Sequence, residues 1–207
     1  MDRVLQWSIT LTAIACLCVF SYAFADIRTA LWFNSLEKNW LYELFKKITL
    51  FGDSLCYLLG GMLLFVIFRN KKAYTAYSGL FLFSSVAASG LTVDLIKYIA
   101  GRARPKLYFS EQLFGFDLFR WEQAWTSFPS GHSATALSVA MFFALLFPRL
   151  RFAALFAGTM VAFSRVYLSQ HYISDVIAGS FMGIVSTLLL YNHFFKLKLD
   201  ASEPKKI

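Results

Sequence analysis

Charge is what this sequence has least of. Only 15% of its 207 residues are Asp, Glu, Lys or Arg, against 58% hydrophobic, whereas a soluble domain carries about 25% charged residues to keep its surface wetted. A chain so poor in polar groups cannot cover itself in water, so lipid must cover part of it. Cysteine is scarce too. Cys16, Cys18 and Cys56 are odd in number, lie inside apolar stretches and have no metal-ligand spacing, which leaves them as small core hydrophobes. There is no internal repeat, no low-complexity segment, and no Lys/Arg-rich arm or recognised nucleic-acid module, so the formal charge of +8 does not imply nucleic acid as a partner. Basic loops on a membrane protein, together with an anionic ligand, account for that charge better.

What the chain does have is apolar length. A membrane span needs about 20 mainly apolar residues, and on that basis six stretches qualify: Trp7–Ala25, Ile48–Phe68, Ala73–Tyr98, Gly131–Phe147, Phe152–Leu168 and Tyr172–Phe195. The expected architecture is therefore an all-α, polytopic membrane bundle of six transmembrane helices in a single domain over residues 1–207, with a loose polar tail from about Lys196. Ala23-Phe24-Ala25 resembles a signal-peptidase site, but the first apolar run is long for a signal and its basic start is weak, so the first span is expected to be retained. Between the first two spans, Trp32, Phe33, Leu36, Trp40, Leu41, Leu44 and Phe45 alternate with charged residues at a spacing that predicts an amphipathic interfacial helix.

Basic residues are equal in number on the two sides of such a bundle. Setting aside Lys97, Arg104 and Arg165, which belong to the motifs below, leaves an excess beside Arg69-Asn70-Lys71-Lys72, Pro148-Arg149-Leu150-Arg151 and the tail. That places both termini in the cytoplasm, and the plasma (inner) membrane of a bacterium is the expected location.

Three motifs follow one another at span ends. Lys97 is followed after six residues by Arg104-Pro105; Pro129-Ser130-Gly131-His132 opens the fourth span; and Ser164-Arg165 precedes His171 and Asp175. Phosphoryl transfer depends on positioning and charge stabilisation. Lys97 offers a compact cation, Arg104 and Arg165 offer planar forks for bidentate phosphate contacts, and Ser130 and Gly131 start a helix whose free N–H groups favour an anion. His171 and Asp175 are four apart and would share a helical face, where the carboxylate can hold one ring nitrogen and free the other for attack. Singly, each residue has an ordinary explanation as an interfacial charge or a helix cap. Jointly they do not.

In order and in every signature position, these motifs resemble the type 2 phosphatidic acid phosphatase family, which is related to bacterial acid phosphatases and vanadium haloperoxidases. The resemblance implies a phosphohistidine formed on His171, a proton given to the leaving oxygen by His132, and no metal or other cofactor. Lys97, Arg104, Ser130, Gly131 and Arg165 are implied as phosphate-binding residues, with His171, His132 and Asp175 as catalytic residues.

Because all three motifs fall at non-cytoplasmic ends, the site is expected at the outer surface. The connection from Lys106 to Phe128 is rich in Phe and Trp and suits the headgroup level, so the expected substrate is the phosphate or pyrophosphate of a membrane lipid. The family includes phosphatases of undecaprenyl pyrophosphate, phosphatidylglycerophosphate, phosphatidic acid and the 1-phosphate of lipid A, and the Gly115-Phe116-Asp117 loop with its tryptophan-rich run leans toward the last. A phosphotransferase using the same intermediate and a non-enzymatic lipid-phosphate carrier are the alternatives. Small-residue stripes are expected to line the bundle interior: Gly179 and Gly183, then Ala154, Gly158 and Ala162, then Ala87 and Gly90. Asp53 is expected at either the site or the interface, and Arg102 in solvent or among lipid headgroups.

Overall fold

The computed structural model describes residues 2–202, so Lys205 and Lys206 of the tail lie outside the described residues. Helices dominate the described residues. They are α1 (Arg3–Phe24), α2 (Asp26–Ser35), α3 (Trp40–Ile48), α4 (Ser54–Phe68), α5 (Ala73–Ala100), α6 (Pro105–Glu111), α7 (Gly131–Leu146), α8 (Arg151–Tyr167), α9 (Ile173–Leu190) and α10 (Lys196–Ser202). Among the described residues there is no strand beyond an isolated antiparallel bridge between Arg102 and Phe116.

Local chemistry sets the ends. The Asp53 side chain accepts from Leu55 N at 2.9 Å and starts α4, while Asn39 does the same for α3 through Leu41 N at 3.0 Å. Gly101 ends α5 at φ 55, a conformation glycine adopts without penalty; a side chain there would also run into the Asp117 carbonyl. Pro105 occupies the first turn of α6, where its missing N–H is no loss.

Among the described residues, four helical stretches are long and apolar enough to cross a membrane: Leu5–Phe24, Trp40–Phe68, Ala73–Ala100 and Ile173–Ser202. The other two expected spans are shorter. α7 has 16 residues and α8 has 17, so each reaches roughly 24–26 Å at 1.5 Å per residue, below the roughly 30 Å of hydrocarbon. The central helix is α7, buried along Ser133–Ala140 and packed by α5, α8 and α9. Gly158 of α8 lies against Ala136 and Ala140, and Gly179 and Gly183 of α9 lie against the backbone of Ser130 and Ala134. These two stripes thus form bundle interior as expected. The α5 stripe does not: nothing lies within 4 Å of where a Gly90 side chain would start, because Gly90 faces an open cleft.

Three further expectations are corrected. The stretch 26–47 is two helices rather than one, broken at Leu36–Asn39, with Asp26 buried at the head of α2 and Asn39 capping α3. The polar tail is not loose from Lys196: α10 continues the helix through Ser202, and Leu199 packs with Phe81, Phe142 and Phe195 in an apolar cluster that holds it down. The cysteines are unpaired, but Cys16 and Cys56 are exposed rather than in the core, since α1 and α4 turn most of their apolar surface outward.

Candidate active site

Short connections between α4 and α5 and between α7 and α8 make these pairs antiparallel, so the ends carrying the three motifs meet. Lys97 reaches from the last turn of α5 across the start of α7, placing Nζ 3.1 Å from the point where a Gly131 side chain would begin, so the missing side chain leaves room for that approach. His132 packs on Gly52, and Arg165, Lys97, Arg104 and Asp53 all act electrostatically on it. Arg165 Nη1 donates to Thr49 Oγ1 at 2.7 Å, and Arg104 Nη2 donates to the Thr126 carbonyl at 3.3 Å. The Nε–H groups of both arginines are buried without a partner, which is costly unless an anion completes the site. Burial lowers the Arg104 pKa.

Ser130, expected to face phosphate, also holds the start of α7. Its N–H donates to the Asp175 carbonyl at 3.0 Å, and its hydroxyl accepts from Ser133 Oγ at 2.9 Å. The N–H groups of Gly131 and His132, which no preceding turn can satisfy, add to the anion-binding capacity of α7. Asp53 does both things left open for it: it caps α4 and lines the cleft beside Lys97 and His132.

His171 is not on a helix with Asp175. It precedes α9 by two residues, in the turn closed by the His171 and Gln170 N–H groups on the Arg165 carbonyl. Its Nδ1 lies 2.8 Å from the Ser127 carbonyl and 3.6 Å from Asp175 Oδ2. A carbonyl only accepts, so Nδ1 carries the proton and Nε2 keeps its lone pair. The imidazole is thus fixed by a backbone carbonyl, with the carboxylate at ion-pair distance behind it. Burial pushes the His171 pKa down to about 4; Asp175 pulls it up, and Arg104 and Arg165 push it further down.

Asp175 is occupied elsewhere. Oδ2 accepts from Ser127 Oγ at 2.6 Å and from Tyr172 N at 2.9 Å, and Oδ1 from Arg102. Arg102 corrects the expectation of solvent or headgroup contact. It is fully buried, and its Nη2 meets Asp26 Oδ2 at 2.7 Å. Sequence reasoning passed over Asp26, Ser127 and Ser174. Of these only Asp26 carried a signal, a carboxylate at the end of an apolar run.

A cleft of about 450 Å³ lies beside Lys97 and His132, polar at Asp53, Lys97, Gly131 and His132 and apolar where Leu58 of α4 faces Phe83, Ala87 and Gly90 of α5. The family model described as the PAP2 superfamily matches residues 78–199, spanning all three motifs. The chain belongs to the PAP2 superfamily. Curated relatives of this PAP2 protein include the lipid A 1-phosphatase of Rhizobium etli, 38% identical over 68% of this chain and 66% of that protein. The lipid A 1-phosphatase of Rhizobium johnstonii is 39% identical over 69% of this chain and 63% of that protein. The match thus spans just under two thirds of these relatives' length. Among solved structures, the transmembrane PAP2-type phosphatidylglycerolphosphate phosphatase of Bacillus subtilis superposes with a TM-score of 0.61 at 21% identity, covering 90% of this chain and 96% of that one. Aquifex aeolicus LpxE does so with a TM-score of 0.61 at 18% identity, covering 83% and 98%. At such identities the structures speak for the fold: an all-helical, multi-pass membrane protein.

Proposed function

We propose that this protein is a metal-independent phosphatase of a membrane-lipid phosphate or pyrophosphate, acting through a phosphohistidine on His171. The observation that carries the reading is the meeting of two histidines and three cations, two of them with unpartnered buried donors, beside a cleft that Lys97 and His132 line at its polar end and that is apolar between α4 and α5. A lipid can place its phosphate among Lys97, Arg104, Arg165 and the Gly131 N–H while its chains remain in the bilayer. Ser130 supports that binding from behind, as the cap of α7.

In the first step His171 Nε2 attacks phosphorus, the bond from phosphorus to the lipid oxygen breaks, and His132 gives its proton to that oxygen. In the second, water attacks the phosphohistidine, His132 takes the water proton, the P–N bond breaks and phosphate leaves. The electrons of that bond return to Nε2. Asp175 stabilises the positive ring while the intermediate lasts.

The same reading has six spans, α7 and α8 completing the set, with α3 at the interface, the site on the periplasmic or extracellular side of the inner membrane and both termini in the cytoplasm. The names of the curated relatives put the lipid A 1-phosphate first among substrates, ahead of phosphatidylglycerophosphate, undecaprenyl pyrophosphate and phosphatidic acid.

His171→Ala, assayed in detergent micelles against those four lipids, is expected to lose turnover by on the order of 10³-fold or more while still binding lipid phosphate. Undiminished turnover in that variant removes His171 as nucleophile. Free phosphate should appear with water as the only acceptor, and transfer to a second lipid would instead make the protein a phosphotransferase. A chelator is expected to leave the rate unchanged.

A further inference from the structure

Behind His171 lies a buried ionic assembly that none of the three motifs calls for. Arg102 Nη1 binds Asp175 and Ser174 Oγ, and Nη2 binds Asp26 Oδ2. Asp26 in turn accepts from Ser21 Oγ at 2.9 Å and Ser174 N at 3.0 Å. Arg102 and Asp175 are 0% exposed and Asp26 is 1% exposed. Four rings surround the guanidinium at 4.6–5.5 Å from its carbon, those of Tyr22, Phe114, Phe116 and Tyr172. Asp26 and Tyr22 come from the junction of α1 and α2, ahead of the region matched by the family model.

So enclosed a cluster holds two carboxylates against one guanidinium. Removing the cation would leave buried carboxylates uncompensated, which is strongly destabilising, so the assembly has to form whole. Its geometry leads to His171 by two routes. The guanidinium fixes Asp175, whose Oδ2 holds the Ser127 hydroxyl and stands 3.6 Å from His171 Nδ1. The Arg102 carbonyl accepts from Ser127 N at 3.0 Å, and the Ser127 carbonyl is the acceptor for Nδ1.

We propose that Arg102 and Asp26 are positioning residues for the reaction: Asp26 locks the Arg102 guanidinium, and Arg102 sets the Asp175 carboxylate and the Ser127 carbonyl that aim the His171 ring. The junction of α1 and α2 is then part of the catalytic architecture. This rests on His171 being the nucleophile. Neither residue touches the phosphate cleft, so their loss should slow the chemical step and leave substrate affinity alone.

The test uses full-length Asp26→Asn, Arg102→Gln and the double variant, with phosphate release measured on whichever of the four lipids the wild-type protein turns over fastest. Each single variant should lose kcat by roughly 10–100-fold, as for groups that orient a functional side chain at one remove, with KM unchanged. Because Asp26 acts through Arg102, the double variant should be no slower than Arg102→Gln alone.

The pH profile adds a readout that a merely structural role would not move. The charged groups facing His171 are Asp175 from α9, Arg104 ahead of α6 and Arg165 from α8. Without the Arg102 charge, Asp175 stabilises the imidazolium more, so the acid limb of kcat/KM should move to higher pH in Arg102→Gln. It should not move up in Asp26→Asn, where the guanidinium is left to Asp175 alone. Should Arg102→Gln fail to fold, Arg102→Lys is read for the kcat loss in its place.

Wild-type kcat in folded Asp26→Asn and in the Arg102 variant overturns the proposal, as does a multiplicative loss in the double variant or a rise in KM at constant kcat. His171→Ala separates the two readings. Turnover retained there removes the nucleophile, whereas an inactive His171→Ala beside a fully active Asp26→Asn removes only the positioning role.

Discussion

Arg104 and Arg165 each present a buried Nε–H with no partner beside terminal nitrogens already tied to Thr126 and Thr49. A planar fork held on one side and open on the other suits a phosphate oxygen; an ammonium group at the same place has neither the fork nor the Nε–H. Arg104→Lys and Arg165→Lys should therefore each lower kcat/KM by roughly 10–100-fold, the loss of one charge-assisted hydrogen bond, with thermal stability nearly unchanged. A loss below twofold would show that these cations serve only as diffuse charge. On the pH axis, a His171 pKa of about 4 lies below the usual 6.5. The ring then stays neutral between those values, where an exposed imidazole would take a proton, so its contribution to the acid limb of kcat/KM belongs near pH 4 and activity should not fall at pH 6 on its account. These cations and histidines were legible in the sequence because each sits at a fixed step in a motif. The partners that hold them were not. Thr49, Ser127 and Asp26 are distant in the chain from what they bind, and nothing in local pattern distinguishes a serine whose carbonyl fixes a histidine from any other serine.

At the scale of elements, the site depends on how closely α9 approaches α7. Gly179 lies against the Ser130 carbonyl and Gly183 against the Ala134 carbonyl, and a methyl group at either would overlap the oxygen. Since Ser130 caps α7 and also donates to the Asp175 carbonyl, separating these helices separates the anion-binding turn from the nucleophile. Gly179→Ala should destabilise the protein by about 1–3 kcal/mol, the usual cost of overpacking, and reduce turnover further than the stability loss alone accounts for. Gly60, with nothing within 4 Å, serves as the comparison: Gly60→Ala should leave the melting temperature and the rate at or slightly above wild type. A tolerated Gly179→Ala would mean that the two helices adjust independently of the site. The glycine stripes on α8 and α9 could be read from spacing because small residues recur wherever membrane helices touch. The α5 stripe shows the limit of that rule, since Gly90 has the same small surface but faces an opening. Helix lengths were likewise blurred. Apolar runs continue past helix ends, as at Phe147, and an apolar run cannot show that α7 is a short helix buried along most of its length.

For the whole molecule, charge and greasiness are divided along one axis. The cations of the motifs gather at one end of the bundle. Arg69, Lys71 and Lys72 follow α4, and Arg149 and Arg151 lie where α7 gives way to α8, at the other end, the end that the proposed topology puts in the cytoplasm. Between the ends, the cleft leads from Lys97 and His132 down between α4 and α5, past Leu58, Ala87 and Gly90. If lipid chains lie in that passage, filling it should discriminate by substrate rather than by chemistry. Gly90→Phe is suited to this, because the new ring meets no atom within 4 Å at its first carbon and replaces a poor helix former. The fold and the cation cluster are left alone. Turnover of a long-chain lipid phosphate should fall by about tenfold or more as the ring occupies the chain's path, whereas p-nitrophenyl phosphate, which needs only the polar end, should be hydrolysed within about twofold of the wild-type rate. Equal losses on both substrates would mean the ring disturbs the site itself. No loss on either would move the entry of the lipid to another face of the bundle, such as the apolar groove of about 510 Å³ flanked by Phe33, Phe163 and Phe181.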